Sequence, residues 1–283
     1  MDRRRLEESI FKALMVISTF IIVASLASIM FTVFFKGIPS LNLAMIVQTP
    51  KGGYYLGKGG GIANAIIGSL YLAGGATVLA IFLSLPVAIH LNVYARRDSK
   101  LMSLCRFSFD VLNGVPSIVY GAIGFTLMIF LGLRTSLLAG IITVALLILP
   151  IMIRSMDEVI RMVPRDLLDA AYVLGANRWE TSMTVVLRQA LPGILTAILI
   201  AFGRAMGDAA SVLFTAGFTD NIPDSLLHPA ATLPLAIFFQ LGSPVPEVQN
   251  RAYASALILT VIILVISVGS RWLSKRLTRH IIR

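Results

Sequence analysis

Six long stretches of the chain run with little polar interruption. They extend from Phe11 to Phe35, and then over about Ala63 to Val93, Phe107 to Leu133, Ser136 to Ile153, Leu191 to Phe218 and Ala252 to Trp272. None alternates with the period-two pattern of a strand, and each comes close to or exceeds the roughly 20 residues that a helix needs to cross hydrocarbon. The pattern predicts an all-α, polytopic membrane protein with six spans rather than a barrel. A polar, partly helical stretch from Arg154 to Arg188 separates the fourth and fifth runs. Two longer loops, about 36–62 and about 219–251, fall on the opposite side. The second is proline-rich and carries the apolar stretch Leu233 to Leu241, which is too short to span. It is read as a short helix lying on or dipping into that surface.

Composition strengthens this reading. Of the 283 residues, 57% are hydrophobic and 13% charged, whereas soluble domains carry about 25% charged residues. That balance excludes a soluble enzyme, a secreted disulfide domain and a disordered chain. The net charge of +10 would suggest nucleic acid in a soluble protein, but here the basic residues flank apolar runs. With the N-terminus inside, eighteen of the 24 Lys and Arg residues fall on inner segments. The positive-inside rule then puts both termini in the cytoplasm. The first run is too long for a signal-peptide core of about 7–15 residues and is read as an uncleaved anchor. Residues 1–62 are taken as the anchor with its outer loop, and 63–283 as the transmembrane core. Cys105 is alone, and His90, His228 and His280 are too scattered to suggest a metal site.

The segment from Gly52 to Gly59 imitates a phosphate-binding loop, but Gly59 stands where a Ser or Thr would hold magnesium. No strand precedes it and the segment lies outside, so it is read as a flexible loop.

Two stretches carry chemistry. The first is Gly203-Arg204-Ala205-Met206-Gly207-Asp208 in the fifth run. Each charge costs roughly 2.5–3.5 kcal/mol at a helix centre, so both must face protein or water. Four residues apart, Arg204 and Asp208 would share one helix face. Arg204 presents a forked donor suited to a tetrahedral oxyanion, with Asp208 holding the fork, although the same pair could serve only to fix helix packing. Gly203 and Gly207 form a G-x-x-x-G pair that admits a close helix neighbour. The second stretch, about 164–175, reads as a short amphipathic helix. Pro164 opens it, Asp166 and Asp169 suit its start, and Leu167, Leu168, Ala171 and Leu174 form its apolar face. Gly175 suits its end, and Asn177 caps the next helix. Such a helix between spans is fitted to a partner's groove.

Asp169-Ala170-Ala171-x-x-x-Gly175 resembles the E-A-A-x-x-x-G loop of ABC-importer permeases, whose coupling helix docks on an ATPase subunit. Aspartate replaces the usual glutamate, and Arg188 stands where the longer motif often has proline. Asn113-Gly114-Val115-Pro116-Ser117-Ile118-Val119-Tyr120-Gly121 is similar to the V-P-S-I-V-Y-G stretch of the phosphate permeases in that family. Gly203 to Asp208 resembles their R-A-x-G-E signature, with Asp208 for glutamate. Thr232-Leu233-Pro234 and Arg251-Ala252-Tyr253-Ala254 resemble their outer loop and the start of span six. The resemblance implies a type I ABC importer permease fold of the MetI kind, with five core helices plus span one. It implies a second, related permease, two copies of an ATPase that uses ATP and magnesium, and an outer phosphate-binding protein, with no cofactor held by this chain. It also implies that Asp169, Ala170, Ala171 and Gly175 couple to the ATPase while Arg204 and Asp208 border the substrate path. A permease for sulfate or molybdate would share the coupling helix. An ATP-independent anion channel would leave that helix unexplained, and an enzyme would need more intramembrane polar groups than the spans contain.

Overall fold

The computed structural model describes residues 3–52, 59–95 and 99–277. Residues 53–58 of the glycine loop, and the basic residues Arg96, Arg97, Arg279 and Arg283, lie outside the described residues. Among the described residues the fold is all-α, and the backbone pairing of Pro50 with Gly60 is an isolated bridge.

Helices α1 (Arg3–Gly37) and α2 (Leu43–Val47) lead to α3 (Ala63–Ile89), which ends in a π-helical turn over His90–Tyr94. Helices α4 (Lys100–Asn113), α5 (Ser117–Phe130), α6 (Leu137–Arg161) and α7 (Arg165–Val173) follow. The short α8 (Arg178–Glu180) runs through a second π-helical stretch, Thr181–Val186, into α9 (Leu187–Gly207), and α10 (Leu233–Leu241) and α11 (Pro246–Leu277) complete the chain. Five helical segments are long and apolar enough to cross a membrane, and the bent pair α4–α5 makes a sixth crossing if it counts as one span.

The core is built from α3, α6 and α9. Ala73, Ala76 and Ala80 recur on one face of α3 and are fully buried, so the α3 and α6 backbones approach closely, as small residues allow where lipid offers no hydrophobic drive. Val144, Ile148, Met152 and Met156 form the facing stripe of α6, joined by Ile194, Ala197 and Ala201 of α9. Helix α1 is exposed along its length. It meets the body beside α11, where Gly37 sits under the Tyr253 carbonyl and Lys36 Nζ lies 4.9 Å above the Tyr253 ring.

Three expected spans change shape. The run from Phe107 to Leu133 is not one helix but two, bent by 100° across Gly114-Val115-Pro116. Proline lacks the N–H that would continue the ladder, and it drives the preceding residue out of the α region. Tyr120 pins the corner by donating its hydroxyl to the Leu112 carbonyl at 2.9 Å. The fourth run extends past Ile153 to Arg161, because Arg154 pairs along the same helix with Asp157 and Glu158. The fifth begins earlier, at Arg178, and its helix stops at Gly207 rather than reaching Phe218. The proline-rich segment does form a short helix, α10, but its Leu233, Leu235 and Ala236 are buried and it packs chiefly on α11.

One polar cluster ties α3, α4 and α6 together. Asp157 is 1% exposed. It accepts from Arg106 Nε at 2.9 Å and Nη2 at 3.1 Å, and from Asn92 Nδ2 at 2.8 Å. Arg154 reaches it at 3.4 Å and spans outward to Asp110 at 2.9 Å. Removing one partner of a buried pair leaves the other desolvated and uncompensated, at a cost of about 3–5 kcal/mol. Asp157→Ala is therefore expected to destabilise the chain on that scale, read as a lowered unfolding midpoint in detergent, whereas exposed Asp110→Ala stays within about 1 kcal/mol of wild type.

Candidate functional site

The two chemical stretches lie at different levels of the bundle. Helix α9 runs antiparallel to α6, with Gly193 against Val159 near one end and Gly140 against Ala216 near the other. By that register Arg204 lies level with Ile148, close to the middle of α6. Although Arg204 sits in the last turn of α9, it is at mid-span depth.

Helix α9 breaks there. Asp208 is its C-cap, with extended backbone at φ −87° and ψ 123°, so Arg204 and Asp208 do not share a helix face as the spacing predicts. Their closest approach is 3.9 Å, beyond hydrogen-bond reach. Asp208 Oδ2 instead accepts from the Ser211 backbone N–H at 2.8 Å, closing the turn that follows. The buried Asp208 thus caps the turn, and it keeps a loose ion pair with Arg204 at 3.9 Å rather than a hydrogen-bonded clamp. The Arg204 side chain is 49% exposed, at a helix C-terminus whose partial negative charge favours a cation.

Residues 208–216 form irregular backbone at membrane depth, which is tolerated only where protein covers it. Ser211, Val212, Thr215 and Ala216 are fully buried. The cover comes from α5. A Cβ on Gly121 would sit 2.9 Å from the Ala210 carbonyl oxygen and 3.0 Å from that of Ser211, so only glycine lets α5 lie this close. The rings of Phe125 and Phe214 meet at 6.1 Å just beyond. The stretch around Val115 to Gly121 therefore packs on Ala210 and Ser211, the residues that directly follow Gly203 to Asp208. Gly203 and Gly207 have open space where a Cβ would stand, so among the described residues no helix packs closely on their face.

The second stretch is at the far end of the α9 span, about 30 Å away at 1.5 Å per residue. Helix α7 rests on the π-helical stretch Thr181–Val186, a backbone form frequent at functional positions. Leu167, Leu168 and Ala171 are half-buried against the body, whereas Asp169 and Ala170 face outward. Leu174 departs from the expected apolar face: it is the C-cap, and it and Val173 are 86% and 87% exposed. Gly175 follows at φ +89°, and the N–H of Ala176 bonds the Ala171 carbonyl at 3.0 Å, closing the helix as a left-handed cap does. Asn177 and Glu180 then form a reciprocal capping box for α8. Together with Met162 and Trp179, Val173 and Leu174 make an apolar tip on an otherwise polar end.

Sequence reasoning missed the Asp157 cluster. It treated Arg106 and Arg154 as topology markers and did not single out Asp157. The available signal was an acid one turn from Arg154 on the same helix.

The class follows from these features: a membrane permease with a broken central span and an exposed short helix between spans. The chain belongs to the family of binding-protein-dependent transport system inner membrane components, whose model matches residues 80–283. The phosphate transport system permease protein PstA of Yersinia pestis is 37% identical over 244 residues, covering 86% of this chain and 81% of that protein. The PstA of Haemophilus influenzae is 32% identical over 269 residues, covering 95% and 94%. In fold, the chain is similar to a solved chain of the inward-facing MetNI methionine ABC transporter, with TM-score 0.61 and 18% identity over 76% of this chain and 95% of that one. The fold is thus that of a MetI-like ABC importer permease.

A side chain at Gly175 would be forced into the left-handed region at a cost of about 1–2 kcal/mol. Gly175→Val is expected to fray α7, seen as faster amide exchange over residues 165–173 with exchange in α6 unchanged.

Proposed function

We propose that this chain is one of two permease subunits of an ATP-driven phosphate importer. The observation that carries the reading is the break in α9, where a half-exposed arginine at mid-span depth lies just before the segment on which the other phosphate-permease-like stretch packs. Relatives named as phosphate permeases, similar along most of the chain, support the same substrate. The second permease is PstC-like, the ATPase is a PstB-like dimer that uses ATP and magnesium, and a PstS-like protein delivers phosphate from outside. This chain binds no cofactor of its own. It resides in the bacterial cytoplasmic membrane. Six crossings put both termini on one face, and the basic bias of the α7 end makes that face cytoplasmic.

Arg204 supplies planar, permanently charged donors to the phosphate oxygens. Asp208 hydrogen-bonds Ser211 and holds Arg204 only by a loose ion pair, so the fork keeps donors to offer substrate. A discontinuous helix at the bilayer midplane is a recurring way to build such a path. The open face at Gly203 and Gly207 receives the partner permease. At the other end, ATP closes the ATPase dimer and draws on α7 through Asp169, Ala170 and Ala171 with the tip at Val173 and Leu174. The motion enters α9 through the π-helical stretch, and the two permeases rock about the path.

Arg204→Gln removes charge-assisted hydrogen bonds, each worth about 1.5–3 kcal/mol. Uptake of labelled phosphate, with sulfate in excess, is expected to fall at least about tenfold in an assembled complex. Unchanged uptake would remove Arg204 from the path, and loss of the complex would make it a packing residue. Asp169→Arg is expected to abolish ATPase co-purification while the permease pair still inserts, and full retention of the ATPase would overturn the coupling role of α7.

A further inference from the structure

At the α7 end lies a cavity of about 350 Å³, bounded by the end of α6, the start of α7, the π-helical turn after α3, and α4. Its size falls within the about 300–1,000 Å³ of small-molecule sites, and its walls are mostly polar. Three arginines from three helices reach it: Arg106, Arg161 and Arg165. Arg106 and Arg161 lie outside the motif stretches, Arg165 only opens α7, and neither the path at Arg204 nor the docking tip uses any of the three.

The three differ in freedom. Arg106 is held in place by its two bonds to the buried Asp157, with Nη2 also 3.3 Å from the Leu91 carbonyl. It is a fixed positive wall whose charge Asp157 largely offsets. Arg161 and Arg165 are exposed, and among the described residues no carboxylate lies within ion-pair distance of either. Asp157, which holds Arg106 in the wall, is already shared between Arg106 and Arg154. Two uncompensated guanidinium groups thus face a recess with a third fixed behind them. Asn92, also in the wall, is oriented by its bonds to Asp157 and to the Ala88 carbonyl. The first turn of α7 contributes Arg165 and Leu168, and no side chain caps that turn. Uncapped N–H groups add to an anion-binding field.

We propose that this cavity is a second anion site, on the cytoplasmic face, that binds a phosphoryl group through Arg161 and Arg165. Converging forked donors match the tetrahedral oxygens of phosphate better than a planar carboxylate or a halide. The group comes either from free inorganic phosphate or from an anionic lipid headgroup, since basic pockets between spans on the inner side suit lipid phosphates. Occupancy would draw the end of α6 and the start of α7 together, stiffening the seat of the coupling helix. The site rests on the proposed topology only for its cytoplasmic side. Its binding chemistry stands whether or not Arg204 contacts substrate.

The test uses the assembled transporter in nanodiscs, with Arg204→Gln in every sample so that any path site is weakened equally. Binding of labelled inorganic phosphate is measured in purely zwitterionic lipid and again with phosphatidylglycerol added. Retained lipid is identified by native mass spectrometry. Loss of two charge-assisted partners predicts that Arg161→Ala with Arg165→Ala weakens phosphate binding about tenfold or more, while exposed Arg188→Ala leaves it unchanged. If phosphatidylglycerol is retained by the parent, lost from the double variant and displaces labelled phosphate, the ligand is the lipid headgroup. If labelled phosphate binds with no retained lipid, the ligand is free phosphate. Should the double alanine variant fail to assemble, the double lysine variant decides: it keeps the charge, loses the fork and is expected to bind more weakly. Phosphate binding and lipid content that match the parent in these variants overturn the site. So does loss of the ATPase subunit with phosphate binding intact, which would make the arginines partner contacts.

Discussion

A peptide group in hydrocarbon must find a partner within the protein, and this requirement bears hardest where α9 ends at Gly207. The helix stops at mid-span, and nine residues of irregular backbone follow at a depth where water is absent. Their burial explains features that otherwise look unrelated. Helix α5 must lie against the break, which calls for Gly121 at the contact and a sharp turn at Pro116 to bring the helix in. Asp208 must close the first turn after the break. Having done so, it leaves the neighbouring arginine without a clamp. A half-exposed cation in the membrane is thus a consequence of how the backbone is satisfied.

The two ends of the α9 span form one element. Between Arg178 and Gly207 the helix is interrupted only by the π-helical stretch, and that stretch is where α7 sits. Helix α7 therefore rests on the same rod that carries Arg204 in its last turn and ends at Gly207. The Asp157 cluster stiffens the adjoining frame by joining α3, α4 and α6 through a carboxylate with nearly all its acceptor capacity filled. Interaction networks of this kind have two discrete arrangements more readily than a continuum.

Much of the fold was legible in the sequence because the bilayer imposes a coarse rule. Apolar runs of sufficient length at Ala63 to Val93 and Ala252 to Trp272 must be spans, and the structure agrees. The errors fall where that rule is silent. Hydropathy does not register the direction of a helix, so the bend at Gly114-Val115-Pro116 was read through, although Pro116 was a local warning. It does not register backbone conformation either, so an i,i+4 relation was assumed for Arg204 and Asp208 across a helix end. Periodicity places Leu174 on the apolar face of α7, but the helix ends at Val173 and Leu174 is its exposed C-cap. The Asp157 cluster was hidden for a different reason. Its members come from three elements, and their pairing is a tertiary fact.

Helix α1 stands apart from this frame, lodged beside α11 with its flanks exposed. That arrangement has a consequence for biogenesis. Helix α1 is made before the core spans, and its neighbour α11 after them. Throughout synthesis α1 must persist in lipid without a partner, and the run from Phe11 to Phe35 contains no acidic residue and only Lys12 and no other charge. The clasp of Gly37 and Lys36 on Tyr253 can close only once α11 has been made, so it forms after every intervening span has been synthesised.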